Sequence, residues 1–266
     1  MENISNFDEK NNLITINEVG LAKVCIYNNQ KSMAVAAAEE LREKIHKILS
    51  AKTELRIIFA AAPSQSEFLK SLVSIADIPW HKITAFHMDD YVELPYEAPQ
   101  RFSNWLEKHL FSKVSFKKVF KIPADGNPKD ICDTYDKNLN KKAIDIVCLG
   151  IGVNGHLAFN DPPVANFKDK SNVKVVKLDD ICRQQQVDDG CFKTFFDVPE
   201  YAITLTIPQL LAAKSIFCIV PGLHKRNAVK AALSGPISTA CPASILRTHK
   251  DVKIFLDKEA GFYDRK

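Results

Sequence analysis

No apolar run in the sequence reaches the roughly 18 residues that a membrane-spanning helix needs, which argues against a protein that crosses the membrane. The first ten residues are polar and acidic, so they do not form a secretory signal. Basic runs dense enough for a nucleic-acid groove are also missing, since 36 basic and 32 acidic residues leave a net charge of only +4. We therefore expect a small-molecule partner, no nucleic acid and no membrane.

The seven cysteines lack any C-x-x-C spacing and are odd in number, which excludes a fully paired disulfide framework and the usual zinc motifs. Cys25, Cys148 and Cys218 fall inside apolar runs that read as buried strands. This usage is typical of a reducing compartment, and we expect a cytoplasmic protein without a structural metal.

Strand-like and helix-like patterns alternate along the chain, and no linker, repeat or low-complexity segment interrupts them. We predict a single α/β domain over residues 1–266, with a polar lead-in at 1–20 and a three-layer α/β/α arrangement around a mainly parallel, Rossmann-like sheet. The predicted strands are 23–27, 55–59, 83–86, 119–122, 144–148, 170–177, 201–206, 215–220 and 252–256.

Glycine is scarce, with nine residues in the whole chain, yet three of them crowd into one stretch that follows the apolar run 144–148. Gly150, Gly152 and Gly155 stand where a parallel strand ends, and they bring backbone amides close to a ligand. Directly after them come His156 and Asp161, with Asn154 beside them. Together these residues form a candidate acid/base group.

Two other interpretations of this stretch exist. It could be an ordinary glycine-rich turn whose histidine caps a neighbouring element. It could also be a dinucleotide-binding loop, but such a loop leads into a long helix, and the segment N-D-P-P at 160–163 stops a helix at once.

Acids also follow a second strand, where Asp89 and Asp90 come after the apolar run 83–86. Adjacent residues on an extended segment point in opposite directions, so one acid is expected to face the ligand and the other to be solvated or to cap the next segment. Spacing alone does not choose between them.

An anion site is predicted where the strand 55–59 passes through small residues into a helix, at Ala62, Ser64 and Gln65. An ordinary turn capped by Ser64 or Ser66 is the alternative. Lys225 lies in the first turn of another helix that follows a strand, where its charge could contact an anion.

Four motifs resemble those of the glucosamine-6-phosphate deaminases, including the galactosamine-6-phosphate isomerase-like members. They are F-H-M-D-D-Y at 86–91, G-I-G-V-N-G-H with F-N-D-P at 150–162, G-L-H-K at 222–225 and P-A-S-I-L at 242–246. The resemblance spans residues 21–256. Sugar-phosphate lactonases are similar in fold and in the glycine loop, but the F-N-D-P segment favours the deaminase branch.

The resemblance implies that Asp89 is the base that moves a proton between C2 and C1 of the sugar. It implies that His156, held by Asp161 and Asn154, opens the ring, and that Lys225 binds the phosphate. No metal or other cofactor is implied, and a homo-oligomer is possible within the family. A lactonase and a non-catalytic sugar-phosphate sensor are the alternative functions.

The sequence departs from the resembled pattern at three places. The family's glycine-rich phosphate loop is replaced by A-A-A-P-S-Q at 60–65, which weakens the predicted phosphate role of Ala62, Ser64 and Gln65. Asp161 stands where glutamate is usual. Asp188 falls where an arginine is expected to hold phosphate, so either Arg101 or Arg183 replaces that cation or the phosphate binds differently.

Overall fold

A computed structural model describes residues 12–261 of the chain. Its strands are β1 (Leu13–Val19), β2 (Ala22–Tyr27), β3 (Leu55–Phe59), β4 (Ile83–His87), β5 (Asp89–Tyr91), β6 (Lys118–Phe120), β7 (Ile146–Leu149), β8 (Val173–Lys177), β9 (Tyr201–Leu205), β10 (Ser215–Val220) and β11 (Val252–Asp257). Its α-helices are α1 (Gln30–Leu49), α2 (Ser66–Val73), α3 (Phe102–Leu106), α4 (Pro128–Leu139), α5 (Asp180–Asp188), α6 (Ile207–Leu211) and α7 (Arg226–Ser234).

The main sheet has eight strands in the order β1-β2-β11-β10-β7-β3-β4-β6, and every pairing is parallel except that of β1 with β2. Helices cover both faces. Ile57 and Ile58, neighbours in β3, belong to two different hydrophobic cores, one packed with Phe68 of α2 and the other with Val229 of α7. The predicted three-layer, mainly parallel fold is confirmed.

Helix α1 shows how local sequence sets one of these layers. Asn29 caps it by accepting a hydrogen bond from the Ser32 amide at 2.9 Å. A stripe at helical spacing, including Met33, Leu41 and Ile45, is buried against the sheet. Among residues 12–261, no helix combines the length and apolar character needed to span a bilayer.

The lead-in prediction was wrong for residues 13–19, which form the antiparallel edge strand β1. An edge strand needs only one buried face and is hydrogen-bonded on only one side, so it can carry many polar residues. The polar residues of β1 obscured its strand pattern in the sequence. Residues 1–11 of the predicted lead-in lie outside the described residues.

A second, three-stranded antiparallel sheet was also not predicted. Its order is β5-β9-β8, whereas a regular parallel alternation was predicted for β8 and β9. Exposure alternates over residues 175–177 of β8, where Val176 is buried between the exposed Val175 and Lys177. That alternation is typical of an antiparallel strand with one solvated face.

Candidate active site

A cleft opens where β3, β7 and β10 end, which is the edge of a parallel sheet where ligands bind. Six of the predicted site residues line it: Ala62, Ser64, Gln65, Asp89, His156 and Lys225. Asn154, Asp161, Gly155, Arg101 and Arg183 do not line it. The structure thus brings a carboxylate, an imidazole and an ammonium group to one cleft.

Behind the cleft, Asp161 and Asn154 hold His156 in place. The Nδ1 atom of His156 lies 2.8 Å from Asp161 Oδ1. The distance suits a hydrogen bond but the angle does not, so the imidazole and the carboxylate are in close polar contact without a hydrogen bond. Asn154 Nδ2 donates to the same carboxylate oxygen at 2.9 Å, and Asn154 Oδ1 accepts from the His156 amide at 3.1 Å. The side chain of Asn154 therefore ties the backbone of His156 to its carboxylate partner.

Asp161 is fully buried, and its ionisation is set by these neighbours. Burial raises the pKa of its carboxyl, but the nearby His156 and the hydrogen bonds from Asn154 and the Asp179 amide lower that pKa more. The net result is a pKa below the ordinary value, so Asp161 is an anion near neutral pH. An anion at Nδ1 stabilises a protonated imidazole.

Gly152 is required by the position of His156. A Cβ built on Gly152 would lie 2.1 Å from His156 Nε2, so the imidazole occupies the space of the missing side chain. Gly155 has φ +85° and packs against Cys241, where a Cβ would meet Sγ at 2.6 Å. Gly155 does not line the cleft but packs against Cys241, so its predicted ligand contact is corrected.

The two adjacent acids separate as alternation along a strand requires. Asp89 lines the cleft, whereas Asp90 accepts hydrogen bonds from the amides of Phe102 and Ser103 at 3.0 and 3.2 Å. Asp90 therefore caps the start of α3 and Asp89 lies at the cleft wall, whereas contact of Asp89 with a ligand stays a prediction.

The carboxyl of Asp89 has a pKa well above its ordinary value, because burial disfavours its charge and the anions Asp90 and Asp161 repel it. Its backbone is held by His87, whose Nδ1 lies 2.9 Å from the Asp89 carbonyl. The other ring nitrogen of His87 accepts from the Ile122 amide at 2.8 Å, so Nδ1 carries the proton and donates. A raised pKa makes the carboxylate a stronger base, which suits proton transfer.

Lys225 is 3% exposed, and no carboxylate pairs with it among residues 12–261. Burial lowers the pKa of its ammonium, while Asp189 and Cys182 raise it in part. The preceding turn has Gly222 at φ +95°, with its amide donating to the Asp257 carboxylate at 3.0 Å. A buried cation at the cleft wall is suited to an anionic ligand.

The loop after β3 differs from the predicted turn. Neither Ser64 nor Ser66 caps α2, so the alternative of a serine-capped turn was wrong. Gln65 is buried, and its Nε2 donates to the Ile219 carbonyl at 3.1 Å, which ties the loop to β10. Ala62 and Ser64 remain at the cleft surface.

Neither arginine proposed as a replacement phosphate cation reaches the cleft. Arg101 is 1% exposed and lies 3.1 Å from Asp90, with its remaining donors on backbone carbonyls such as that of Ile122. Arg183 donates to the carbonyls of Phe195 and Val198, and its guanidinium stacks on the Phe195 ring. These predictions are corrected because each guanidinium is used inside the protein, in contacts that depend on tertiary packing.

Several cleft residues were missed by sequence reasoning, above all Gln185 and Gln186 on α5. The buried face of this short helix carries Cys182, Arg183 and both glutamines, where apolar residues are usual. Polar residues on a buried helical stripe were the signal that could have revealed them.

One group of possible metal donors lies next to this site. Within the part of the chain that the structure describes, donor atoms of His156, Asp161 and Cys182 all lie within 4.8 Å of one another. Burial and the adjacent Asp161 raise the pKa of the Cys182 thiol well above its usual range, which disfavours the thiolate that a metal needs. The absence of a metal cofactor stays a prediction.

A family model described as glucosamine-6-phosphate isomerases/6-phosphogluconolactonase matches residues 28–255. The chain belongs to this enzyme family. A glucosamine-6-phosphate deaminase from Halothermothrix orenii is 30% identical over 244 residues, covering 90% of this chain and 98% of the relative. Another, from Exiguobacterium sibiricum, is 36% identical over 180 residues, covering 67% of this chain and 69% of the relative.

Solved structures agree with this assignment. A monomeric glucosamine-6-phosphate deaminase superposes with a TM-score of 0.80 at 26% identity, over 90% of this chain and 98% of that one. A 6-phosphogluconolactonase from Thermotoga maritima has a TM-score of 0.72 at 18% identity, over 89% and 99%. The second likeness concerns the fold alone.

Proposed function

We propose that this family member is an amino-sugar-phosphate deaminase/isomerase that converts glucosamine-6-phosphate or galactosamine-6-phosphate to the ketose 6-phosphate and ammonia. The observation that carries the proposal is the meeting of Asp89, His156 and Lys225 in one cleft. The names of the relatives at 30–36% identity support the deaminase branch over the lactonase branch.

Ring opening is the first step of the proposed reaction. His156 moves a proton from the anomeric hydroxyl to the ring oxygen, which releases the open-chain aldehyde. The anionic Asp161 at Nδ1 stabilises the imidazolium that forms in between, and Asn154 keeps the ring of His156 from turning away. Because Nδ1 lies against Asp161, Nε2 is the nitrogen left for the substrate in this proposal.

Proton transfer between the two carbons is the second step. Asp89 takes the proton from C2 while the aldehyde oxygen on C1 gains a proton, which gives an enolamine with a double bond between C1 and C2. The same carboxyl then returns its proton to C1 and the nitrogen releases one proton, which leaves a hydroxymethyl group at C1 and an imine at C2. Water adds to C2 and ammonia departs, so one water is consumed for each ammonia released. A single carboxylate serves both carbons because they are adjacent and the phosphate end is anchored.

In this proposal the phosphate is bound without the arginine that holds it in the resembled family. Lys225 supplies the one cation at the cleft wall among the described residues, and the hydroxyl of Ser64 and the small residues of 60–62 surround the anion. Neutral donors bind an anion without adding charge, so the phosphate site depends strongly on Lys225.

The test is ammonia release from glucosamine-6-phosphate and, separately, from galactosamine-6-phosphate, with Asp89→Asn as the matched variant. Release by the native protein and its loss in the variant are expected. Hydrolysis of 6-phosphogluconolactone without ammonia release would establish the lactonase instead. Thermal stabilisation by a sugar phosphate without turnover of any of the three compounds would favour the sensor.

The seven cysteines are all free, in agreement with the proposed cytoplasmic location. A homo-oligomer stays a prediction, and one structural neighbour is described as monomeric. Sedimentation of the purified protein tests this directly.

A further inference from the structure

Three consecutive glutamines on α5 have three different environments. Gln184 is exposed, and its Nε2 donates to Asp188 Oδ1 at 2.8 Å on the outer face of the helix. Gln185 is buried, and both ends of its amide are used: Oε1 accepts from the Val153 amide at 2.9 Å and Nε2 donates to Asp189 at 3.2 Å. Gln185 is therefore a positioning residue that ties α5 to the loop carrying His156.

Gln186 differs from both neighbours. It is 6% exposed and lines the cleft. Within residues 12–261 its side-chain amide makes no hydrogen bond to the protein, while its backbone carbonyl accepts from the amides of Cys191 and Phe192. The polar atoms of this side chain are not among the fully buried ones that lack a partner, so the amide opens onto the cleft. An amide at a cleft wall with no protein partner is available to hydrogen-bond a polar ligand.

The position of Gln186 along the cleft follows from what α5 contacts at each end. Gln185 bonds to Val153 in the His156 loop, and Asp189, which ends the helix, is the acid whose charge acts most strongly on Lys225. Gln186 lies between these two residues in the chain, and it lines the same cleft as His156 and Lys225.

We propose that Gln186 is a specificity-determining residue that hydrogen-bonds the hydroxyls in the middle of the bound amino-sugar phosphate, above all the hydroxyl on C4. This rests on the proposed function. In a six-carbon chain that reacts at C1 and C2 and carries phosphate on C6, the middle carbons are C3 to C5. The gluco and galacto epimers differ only at C4. An amide offers both a donor and an acceptor, so it can bind one orientation of that hydroxyl and leave the other without a partner.

The experiment compares kcat/KM for the two epimers in the native protein, in Gln186→Met and in Gln184→Met. Methionine keeps the length of the side chain and removes the amide. We expect Gln186→Met to lower kcat/KM for the preferred epimer about tenfold, the usual worth of one lost neutral hydrogen bond, and to shift the ratio between epimers by a similar factor. Gln184→Met, at an exposed position of the same helix, should leave both values within twofold.

Gln186→Asn serves as the second variant, because it keeps an amide but shortens it, and it should retain part of the epimer preference. Thermal melting of each variant identifies any loss of folding. An unchanged epimer ratio in folded Gln186→Met, with turnover intact, would overturn the proposal and leave the proposed function standing.

Binding measurements separate this proposal from failure of the proposed function. The probes are the two reduced, open-chain 2-amino-hexitol 6-phosphates, which cannot react. If the native protein binds one epimer better and Gln186→Met does not, the proposal holds even without ammonia release. If the native protein neither binds these compounds nor releases ammonia, both proposals fail together.

Discussion

Substitution of Gly152 by alanine tests how closely the site is built around His156. The new methyl carbon would lie 2.1 to 2.3 Å from three atoms of the imidazole, whereas carbon contacts in proteins are about 3.5 Å or more. The backbone of Gly152 needs no left-handed conformation, so alanine itself fits the chain. The imidazole must therefore move by more than about 1 Å away from residue 152.

We expect Gly152→Ala to lower kcat about 100-fold or more, because a displacement of about 1 Å costs roughly that factor at a reacting centre. Overpacking should also lower the free energy of unfolding by about 1–3 kcal/mol. In a chain of this size that corresponds to a fall in Tm of about 2–4 °C for each kcal/mol.

A double-mutant cycle identifies the cause of these losses. In a His156→Ala background the imidazole is absent, and the methyl group added at residue 152 occupies its space. Adding Gly152→Ala to this background should therefore cost little further stability. Ammonia release measures kcat, and thermal melting measures stability. If Gly152→Ala keeps kcat within threefold, or if it destabilises both backgrounds equally, the assigned position of His156 is wrong.

Three further outcomes are expected. Asp89 must be ionised to accept a proton, and burial and Asp90 raise its pKa, so kcat should fall with decreasing pH well above the range of an ordinary carboxyl. Asp90→Asn should move this fall in kcat to lower pH. An unchanged acidic limb of the pH profile in this variant would contradict the role of Asp90. Arg101→Ala breaks a buried ion pair and should cost about 3–5 kcal/mol in denaturant unfolding, whereas a changed KM at full stability would restore Arg101 as a phosphate ligand. Lys225→Met should raise KM for the phosphorylated sugar while increasing Tm, because it removes a buried charge; a lower Tm would mean that the protein itself compensates this charge.

The sequence predicted those parts of the fold and site that depend on local periodicity. The strand β3 matches its prediction at both ends. Alternation along β5 predicted that Asp89 and Asp90 would separate, although it could not choose between them, because that choice depends on Arg101 and α3.

Other features depend on partners that are distant in sequence. The guanidinium groups of Arg101 and Arg183 have the chemistry needed to bind phosphate. Only the packing shows that Asp90 and backbone carbonyls already accept their hydrogen bonds. The small sheet escaped prediction because a short strand such as β5 acquires its identity from pairing with β9, more than 100 residues later.

The candidate base and the candidate acid belong to separately hydrogen-bonded sheets. Asp89 lies in β5 of the small sheet, and His156 follows β7 of the main one. Thr204 joins them, since it pairs with Asp89 across β5 and β9 and its hydroxyl accepts from the Phe159 amide at 3.0 Å. A slight slide of one sheet on the other would change the spacing between base and acid while every reacting side chain stayed the same. Substitutions at this contact between the two sheets would therefore change the reaction in the cleft without changing a reacting residue.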